Sequence, residues 1–240
     1  MMTNGGRFAT AQGAMLADPD LIGNSLREAG ETLFDPEFWA ARGELDPARA
    51  GRGAVWFVGA DANSWVLKHY RRGGLVARLS SDRYWFRSEA HVRAFAEWRL
   101  LQSLHAAGLP VPRPVAAAYR RGALTYRCDL LTERLAAVRP LSAVLAEGAL
   151  ADERWRSIGS TIRRLHAAGA DHADLNAHNI LCGESKDRVF IIDFDRGRLR
   201  SGAGGWQRRN LERLHRSLVK VAPASHFPAA AWHQLLAGYG

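Results

Sequence analysis

Lysine is nearly missing from this chain. Only Lys68, Lys186 and Lys220 occur in 240 residues, although Lys and Arg together number 33. Arginine therefore carries almost all of the positive charge, and each lysine merits inspection, because Arg would supply bulk charge equally well. Cysteine is scarce too. Cys128 and Cys182 stand in no metal-ligand or redox spacing, so two buried, reduced thiols are expected rather than a zinc module or disulfide scaffold. No run of 18 or more apolar residues occurs, so no transmembrane helix is expected. The opening MMTNGGRFATAQG lacks a basic stretch followed by an apolar core, and no secretory signal is expected. There is no internal repeat and no low-complexity tract.

What is present describes a globular chain. The apolar fraction is 47% and the charged fraction 24%, which argues against disorder along its length. The formal net charge of +9 favours anionic partners: nucleotides, an acidic lipid surface or nucleic acid. Two β-runs, 54–58 and 65–70, flank a hairpin loop at 59–63, and a short strand is expected near 13–17. Asp35 and Pro36 read as the N-cap and first position of a short helix. Residues 88–107 change to helical period, and Pro110, Pro112 and Pro114 forbid continuation. Two further runs, 116–119 and 124–131, read as an antiparallel pair. Beyond 132–140 the texture turns helical, with helices at 141–146, 152–168 and 206–221 and a short strand at 189–193. A β-rich first part is thus expected to precede an α-rich second part, an α+β chain.

The chemistry concentrates in HADLNAHN, His172 to Asn179, and in IIDFD, where Asp193 follows Asn179 by fourteen residues. The order H-x-D-x-x-x-x-N, then an apolar strand ending in D-F, resembles the catalytic loop and metal-binding Asp of protein-kinase-like enzymes. Phosphoryl transfer needs these residue types. Asp174 is placed to orient an acceptor hydroxyl and take its proton. Asn179 and Asp193 offer the oxygen ligands that Mg²⁺ prefers. His172 braces the loop. The plain alternative is a helix-loop-strand whose Asp and Asn only cap turns.

Lys68, in WVLKHY, stands where such enzymes carry the lysine that contacts the α- and β-phosphates of ATP. Its expected carboxylate partner is Glu97, with Glu89 second. Gly51 and Gly53 fit part of a phosphate-covering turn, although Trp56 breaks the full glycine pattern. Glu133, at the edge of the β-rich part, completes the nucleotide-binding candidates. Arg71, Arg72, Arg78, Tyr84, Trp85 and Arg87 interleave guanidinium groups with rings, which suits an anionic sugar. The helix at 206–221 has an apolar face at Leu211, Leu214, Leu218 and Val221 among Arg208, Arg209, Arg213, Arg216 and Lys220. That pattern is read first as a packed helix with a charged outer face, and second as a bilayer-surface element.

Together GRGAVWFV, LKHYRRGGLVARL, DRYWFRSEA, EWRLLQSLHAAGLPVPRPVAA, HADLNAHNILC and IIDFDRGRLR resemble the lipopolysaccharide core kinases, in particular those acting on 3-deoxy-D-manno-octulosonic acid (Kdo). The resemblance implies a two-lobed kinase-like fold, with a β-rich N-lobe over 1–132 and a reduced helical C-lobe over 133–240. It implies ATP and Mg²⁺ as cofactors and phosphorylation of the 4-hydroxyl of Kdo on a lipid A precursor. It further implies peripheral work at the cytoplasmic face of the inner membrane, with that anionic surface as partner and no nucleic acid. Departures from protein kinases matter. Ala173 replaces the loop arginine, Asp195 replaces the glycine of D-F-G, and no A-P-E follows. Those differences argue against protein substrates. The alternatives are a kinase for another small acceptor, such as a core heptose or an aminoglycoside, and a non-catalytic basic module that binds membrane or nucleic acid. A cationic aminoglycoside suits this basic chain poorly, and a complete set of catalytic-loop residues has no purpose in a mere binding module.

Overall fold

Residues 6–46, 55–60, 64–71, 82–202 and 204–240 are described by a computed structural model, with the side chains of 24–27 left aside. Thirteen strands and seven α-helices occur among them. The strands are β1 (Gly6–Ala9), β2 (Gly13–Ala17), β3 (Leu45–Asp46), β4 (Val55–Val58), β5 (Trp65–His69), β6 (Tyr84–Trp85), β7 (Pro114–Arg121), β8 (Thr125–Glu133), β9 (Val138–Pro140), β10 (Ala170–Asp171), β11 (Ile180–Gly183), β12 (Val189–Ile191) and β13 (Arg198–Leu199). The helices are α1 (Pro19–Ala29), α2 (Pro36–Ala41), α3 (Arg93–Ala106), α4 (Leu141–Glu147), α5 (Asp152–Ala167), α6 (Gly205–Val221) and α7 (Ala229–Tyr239). The fold is mixed, with a large antiparallel sheet and a helical remainder. It divides into two compact units, Met1–Gln102 with Arg113–Arg134, and Ser103–Pro112 with Leu135–Gly240.

The first unit is built on a sheet of order β1-β2-β7-β8-β5-β4-β3, with β6 pairing β8 from outside that path. Successive side chains along a strand point to opposite faces. Trp65, Leu67, Leu131, Ala116, Ala118 and Met15 therefore share one face, and Ile22, Leu33, Phe34 and Trp39 cover it in one apolar core. Trp39 and Trp65 meet edge to face at 5.8 Å, and the Trp39 indole donates to the Leu33 carbonyl over 2.9 Å. Asp35 caps α2 by accepting from Glu37 N–H at 3.0 Å, with Pro36 at the first helical position.

The opposite face carries Lys68, Leu130, Ala117 and Tyr119, and α3 lies on it, with Phe95 against Tyr119 at 5.3 Å. The helix expected from residue 88 begins only at Arg93. A short 3-10 turn, Glu89–His91, precedes it, and extended Val92 breaks the helix while burying its β-branched side chain completely. Strand β1 and helix α7 are additions to the sequence reading. The first has a single large apolar side chain, Phe8, and so offers almost no alternating pattern.

In the second unit, α5 buries Trp155, Ile158, Ile162 and Leu165 along one stripe. Helix α7 packs on α5 at glycine contacts. A Cβ on Gly159 would lie 2.0 Å from the Leu235 carbonyl oxygen, and one on Gly238 would lie 2.1 Å from that of Arg156. A three-stranded sheet, β12-β11-β9, and the β10-β13 pair frame the loop from His172 to Asn179. The apolar face of α6 is internal, since Trp206, Leu214 and Leu218 are buried. Its packing explains the amphipathic pattern, and only Val219 among its large apolar side chains is strongly exposed.

Candidate active site

In the first unit the sheet presents Lys68 from β5 towards α3. Its ammonium lies 3.0 Å from Glu97 Oε2. Glu97 is only 3% exposed, so its carboxylate needs partners. Lys68 is one, and the Tyr70 hydroxyl, which donates to the same oxygen, is another. The Lys68 ammonium also lies 4.6 Å from the centre of the Tyr70 ring. Lys68 in β5 and Tyr70, which follows the strand and bonds through its N–H to the Cys128 carbonyl, share a face by the two-residue period, and that brings both to one carboxylate. Glu89 is engaged elsewhere, taking Arg7 in a two-pronged pair at 2.8 Å and a hydrogen bond from the Tyr119 hydroxyl at 3.2 Å. Glu133 ends β8 exposed, with its N–H bonded to the Arg113 carbonyl at 2.9 Å.

In the second unit the loop after β10 is held mainly by its own polar groups. His172 is fully within the protein, and burial pushes its imidazole below the usual range, so it is neutral. Its Nδ1 accepts the Asp174 N–H at 3.2 Å, which makes Nε2 the donor to the Ile192 carbonyl at 3.0 Å. One ring thereby ties the backbone of Asp174 to the residue just before Asp193. The Asn179 amide donates to the Asp174 carbonyl at 3.0 Å, which leaves its side-chain oxygen as the atom able to hold a cation. Asn176 donates to that same carbonyl and accepts from the N–H groups of His178 and Asn179.

Pairing of β11 with β12, extended by the Ile192 N–H to Asn179 carbonyl bond of 3.0 Å, sets Asn179 and Asp193 at one end of the same hairpin. Asp193 has a φ of 63°, a left-handed conformation that Asp tolerates better than most residues and that gathers at functional sites. Phe194 behind it is buried, its ring 4.6 Å from that of His172. Two oxygen-bearing side chains suit Mg²⁺, which keeps several waters and takes phosphate oxygens besides one or two protein ligands. Among the described residues no group of three or more His, Cys, Asp or Glu is arranged to hold a metal ion.

Asp174 is half exposed, and Arg213 Nη1 of α6 donates to its Oδ1 at 2.8 Å. The sequence reading placed Arg213 on an outer charged face. The contact spans 39 residues, and no local pattern could have signalled it.

Of the arginine and aromatic segment, Arg72 and Arg78 lie outside the described residues, as do Gly51 and Gly53. Tyr84 is buried and packs against Tyr126 at 5.6 Å, so its ring belongs to the core. Arg71, Trp85 and Arg87 are exposed.

Residues 36–239 match the model of the lipopolysaccharide kinase (Kdo/WaaP) family. The chain is 48% identical over 215 residues to a 3-deoxy-D-manno-octulosonic acid kinase of Xanthomonas axonopodis pv. citri, covering 90% of this chain and 84% of that protein. It is 45% identical over 212 residues to a protein of the same name from Stenotrophomonas maltophilia, covering 87% and 81%. A third of that name, from Vibrio vulnificus, is 43% identical over 209 residues, covering 86% and 88%.

Proposed function

The chain belongs to the lipopolysaccharide kinase (Kdo/WaaP) family, and from that premise we propose that it phosphorylates the 4-hydroxyl of a Kdo residue on a lipid A precursor. As a member of a kinase family it is an ATP-dependent phosphotransferase acting on an alcohol. The observation that carries the site assignment is the pinned loop, in which one neutral histidine fixes Asp174 to the backbone beside Asp193.

The loop geometry supports the roles proposed for Asp174, Asn179 and Asp193, and the remaining roles belong to the same reading. Asp174, exposed at the loop surface, orients the acceptor hydroxyl and takes its proton. The hydroxyl oxygen forms a bond to the γ-phosphorus as the bond to the β-γ bridging oxygen breaks, and ADP leaves. Lys68, held by buried Glu97, pairs with the α- and β-phosphates. Asn179 and Asp193 would hold Mg²⁺, which when bound neutralises phosphate charge. Gly51, Gly53 and Glu133 remain assigned to nucleotide contacts. The kinase-like division into a β-rich N-lobe and a reduced helical C-lobe is part of the same reading. Positioning and charge neutralisation supply most of the rate, and the base about 10² to 10⁴.

The acceptor is lipid-linked, and the cytoplasmic face of the inner membrane is the proposed place of work. No helix among the described residues is long and apolar enough to cross a membrane. A surface contact is supported by one patch. Trp85 and Leu124 are 64% and 66% exposed, and they are neighbours, because Trp85 pairs with Thr125 and the Phe86 N–H donates to the Leu124 carbonyl at 3.0 Å. Beside them Arg83, Arg120, Arg121 and Arg127 line a cavity of about 270 Å³. Exposed Trp and Leu among arginines suit the interface of an anionic bilayer, and we assign the exposed Trp85 there.

The test is transfer of labelled phosphate from ATP to Kdo-bearing lipid A precursor, followed by location of the phosphate on the sugar. Wild type should label the 4-position. Asp174→Ala should lower turnover by at least 10² while retaining ATP binding, and Asp193→Ala should weaken ATP binding in Mg²⁺. Label on a heptose acceptor alone would replace the acceptor. Equal loss of turnover and nucleotide binding in Asp174→Ala would remove it as the base.

A further inference from the structure

Helix α6 carries a second feature on the face beside its packed one. Arg209, Arg213, Arg216 and Lys220 recur at intervals of four, three and four, so they form one row along the helix. All four are exposed. The row runs beside the face that docks α6 on the loop, where Asn210 accepts the His172 N–H at 3.0 Å and the Ser217 hydroxyl accepts the Ala177 N–H at 3.1 Å. Arg213 stands where row and loop meet, one Nη1 donor on Asp174. By contrast Arg208, on another side of the helix, faces Glu212 at 3.4 Å. Among the described residues, Arg209, Arg216 and Lys220 form no ion pair.

A guanidinium has five donors in a rigid fork, and Arg213 uses one on Asp174. The rest of the fork matches a carboxylate. A cation fixed at the residue that orients the acceptor hydroxyl meets whatever acid group the acceptor carries close to that hydroxyl. Kdo is a sugar acid, whereas a neutral heptose ring has no such group. We propose that Arg213 receives the carboxylate of the acceptor sugar, and that Arg209, Arg216 and Lys220 extend this site as an anion-binding row of roughly 16 Å for further acidic groups of the same acceptor. The proposal rests on the sugar-acid kinase reading and adds the means of selection: the acceptor is chosen by its acid, read beside the base. Asp174 and Arg213 then act in concert. The aspartate holds the hydroxyl, and the arginine fixes the ring by its carboxylate, which sets one hydroxyl in line.

A two-by-two kinetic cycle tests this. Wild type and Arg213→Gln are each assayed with the Kdo acceptor and with the same acceptor converted to its carboxamide. Removing either partner should raise the acceptor KM about ten- to a hundred-fold, the range for a charged hydrogen bond, with the KM for ATP unchanged. Removing both should cost little more than removing one. Arg213→Lys should recover part of the loss, since it keeps charge but loses the fork. The triple change of Arg209, Arg216 and Lys220 to Gln should flatten the salt dependence of acceptor binding. Penalties that multiply across the cycle, or a raised KM for ATP in Arg213→Gln, would overturn the carboxylate assignment while leaving Kdo phosphorylation in place. Wild type that consumes ATP on a neutral sugar and ignores Kdo would instead overturn the acceptor itself, and the proposal with it.

Discussion

His166 illustrates how much a single buried residue sets. It is 5% exposed, with Nδ1 2.8 Å from the Tyr239 hydroxyl, Nε2 3.3 Å from Asn210 Oδ1, and the Trp206 ring at 5.0 Å. Burial pushes its imidazole down to about 4. The ordinary value near 6.5 applies once the chain unfolds. Above that pH neither state binds the proton. Between about 6.5 and 4 only the unfolded state does, so stability falls with falling pH across that window, by on the order of 3 kcal/mol in total. Urea midpoints measured from pH 7.5 to 4.5 should show the decline, and His166→Gln should flatten it. An unchanged slope in that variant would clear His166 of responsibility. The residues of the loop were legible for a different reason. Asp174, Asn179 and Asp193 form an ordered set at fixed spacing, whereas Arg213 reaches Asp174 only because α6 docks there.

At the scale of elements, α5 and α7 depend on two glycines. No side chain fits at Gly159, because its Cβ would stand 2.0 Å from the Leu235 carbonyl oxygen and 2.8 Å from the Tyr239 N. Gly159→Ala would force the helices apart. Its expected cost is about 1 to 3 kcal/mol, as for other overpacked cores. Thermal unfolding should report it, and a melting temperature equal to wild type would mean that α7 is held by other contacts. The sequence marked α5 by its stripe of Trp155, Ile158, Ile162 and Leu165 but did not mark α7, whose AAAWHQLLAGY is apolar on too many sides to show a period. The strands β7 and β8 were visible because both alternate or run apolar between turn residues. Strand β6 was not, since two residues have no period.

At the scale of the whole molecule, arginine excess and exposed apolar groups come together at the turn joining β7 to β8. Binding to vesicles carrying anionic phospholipid should exceed binding to neutral ones. It should weaken several-fold in Trp85→Ser and in Leu124→Ser and fall as salt rises, since screening shortens to about 8 Å near 0.15 M. Sedimentation of protein with vesicles measures this. A bound fraction that neither substitution changes would take the membrane contact away from this patch.

The sequence alone determined the class of chemistry. A scarce lysine on a β-strand and an ordered His-Asp-Asn-Asp set are local or strongly spaced signals, and their residue types state what they can bind. It also determined most long elements, because hydrophobic period is a local property. Tertiary structure decided the rest. It decided that Glu97 and not Glu89 meets Lys68, with Tyr70 on the same oxygen, and that Glu89 goes to Arg7. It decided which nitrogen of His172 carries the proton, and that Tyr84 is core while Trp85 is surface. Each of these is a choice that local pattern leaves open, and only the folded arrangement of the surrounding groups decides it.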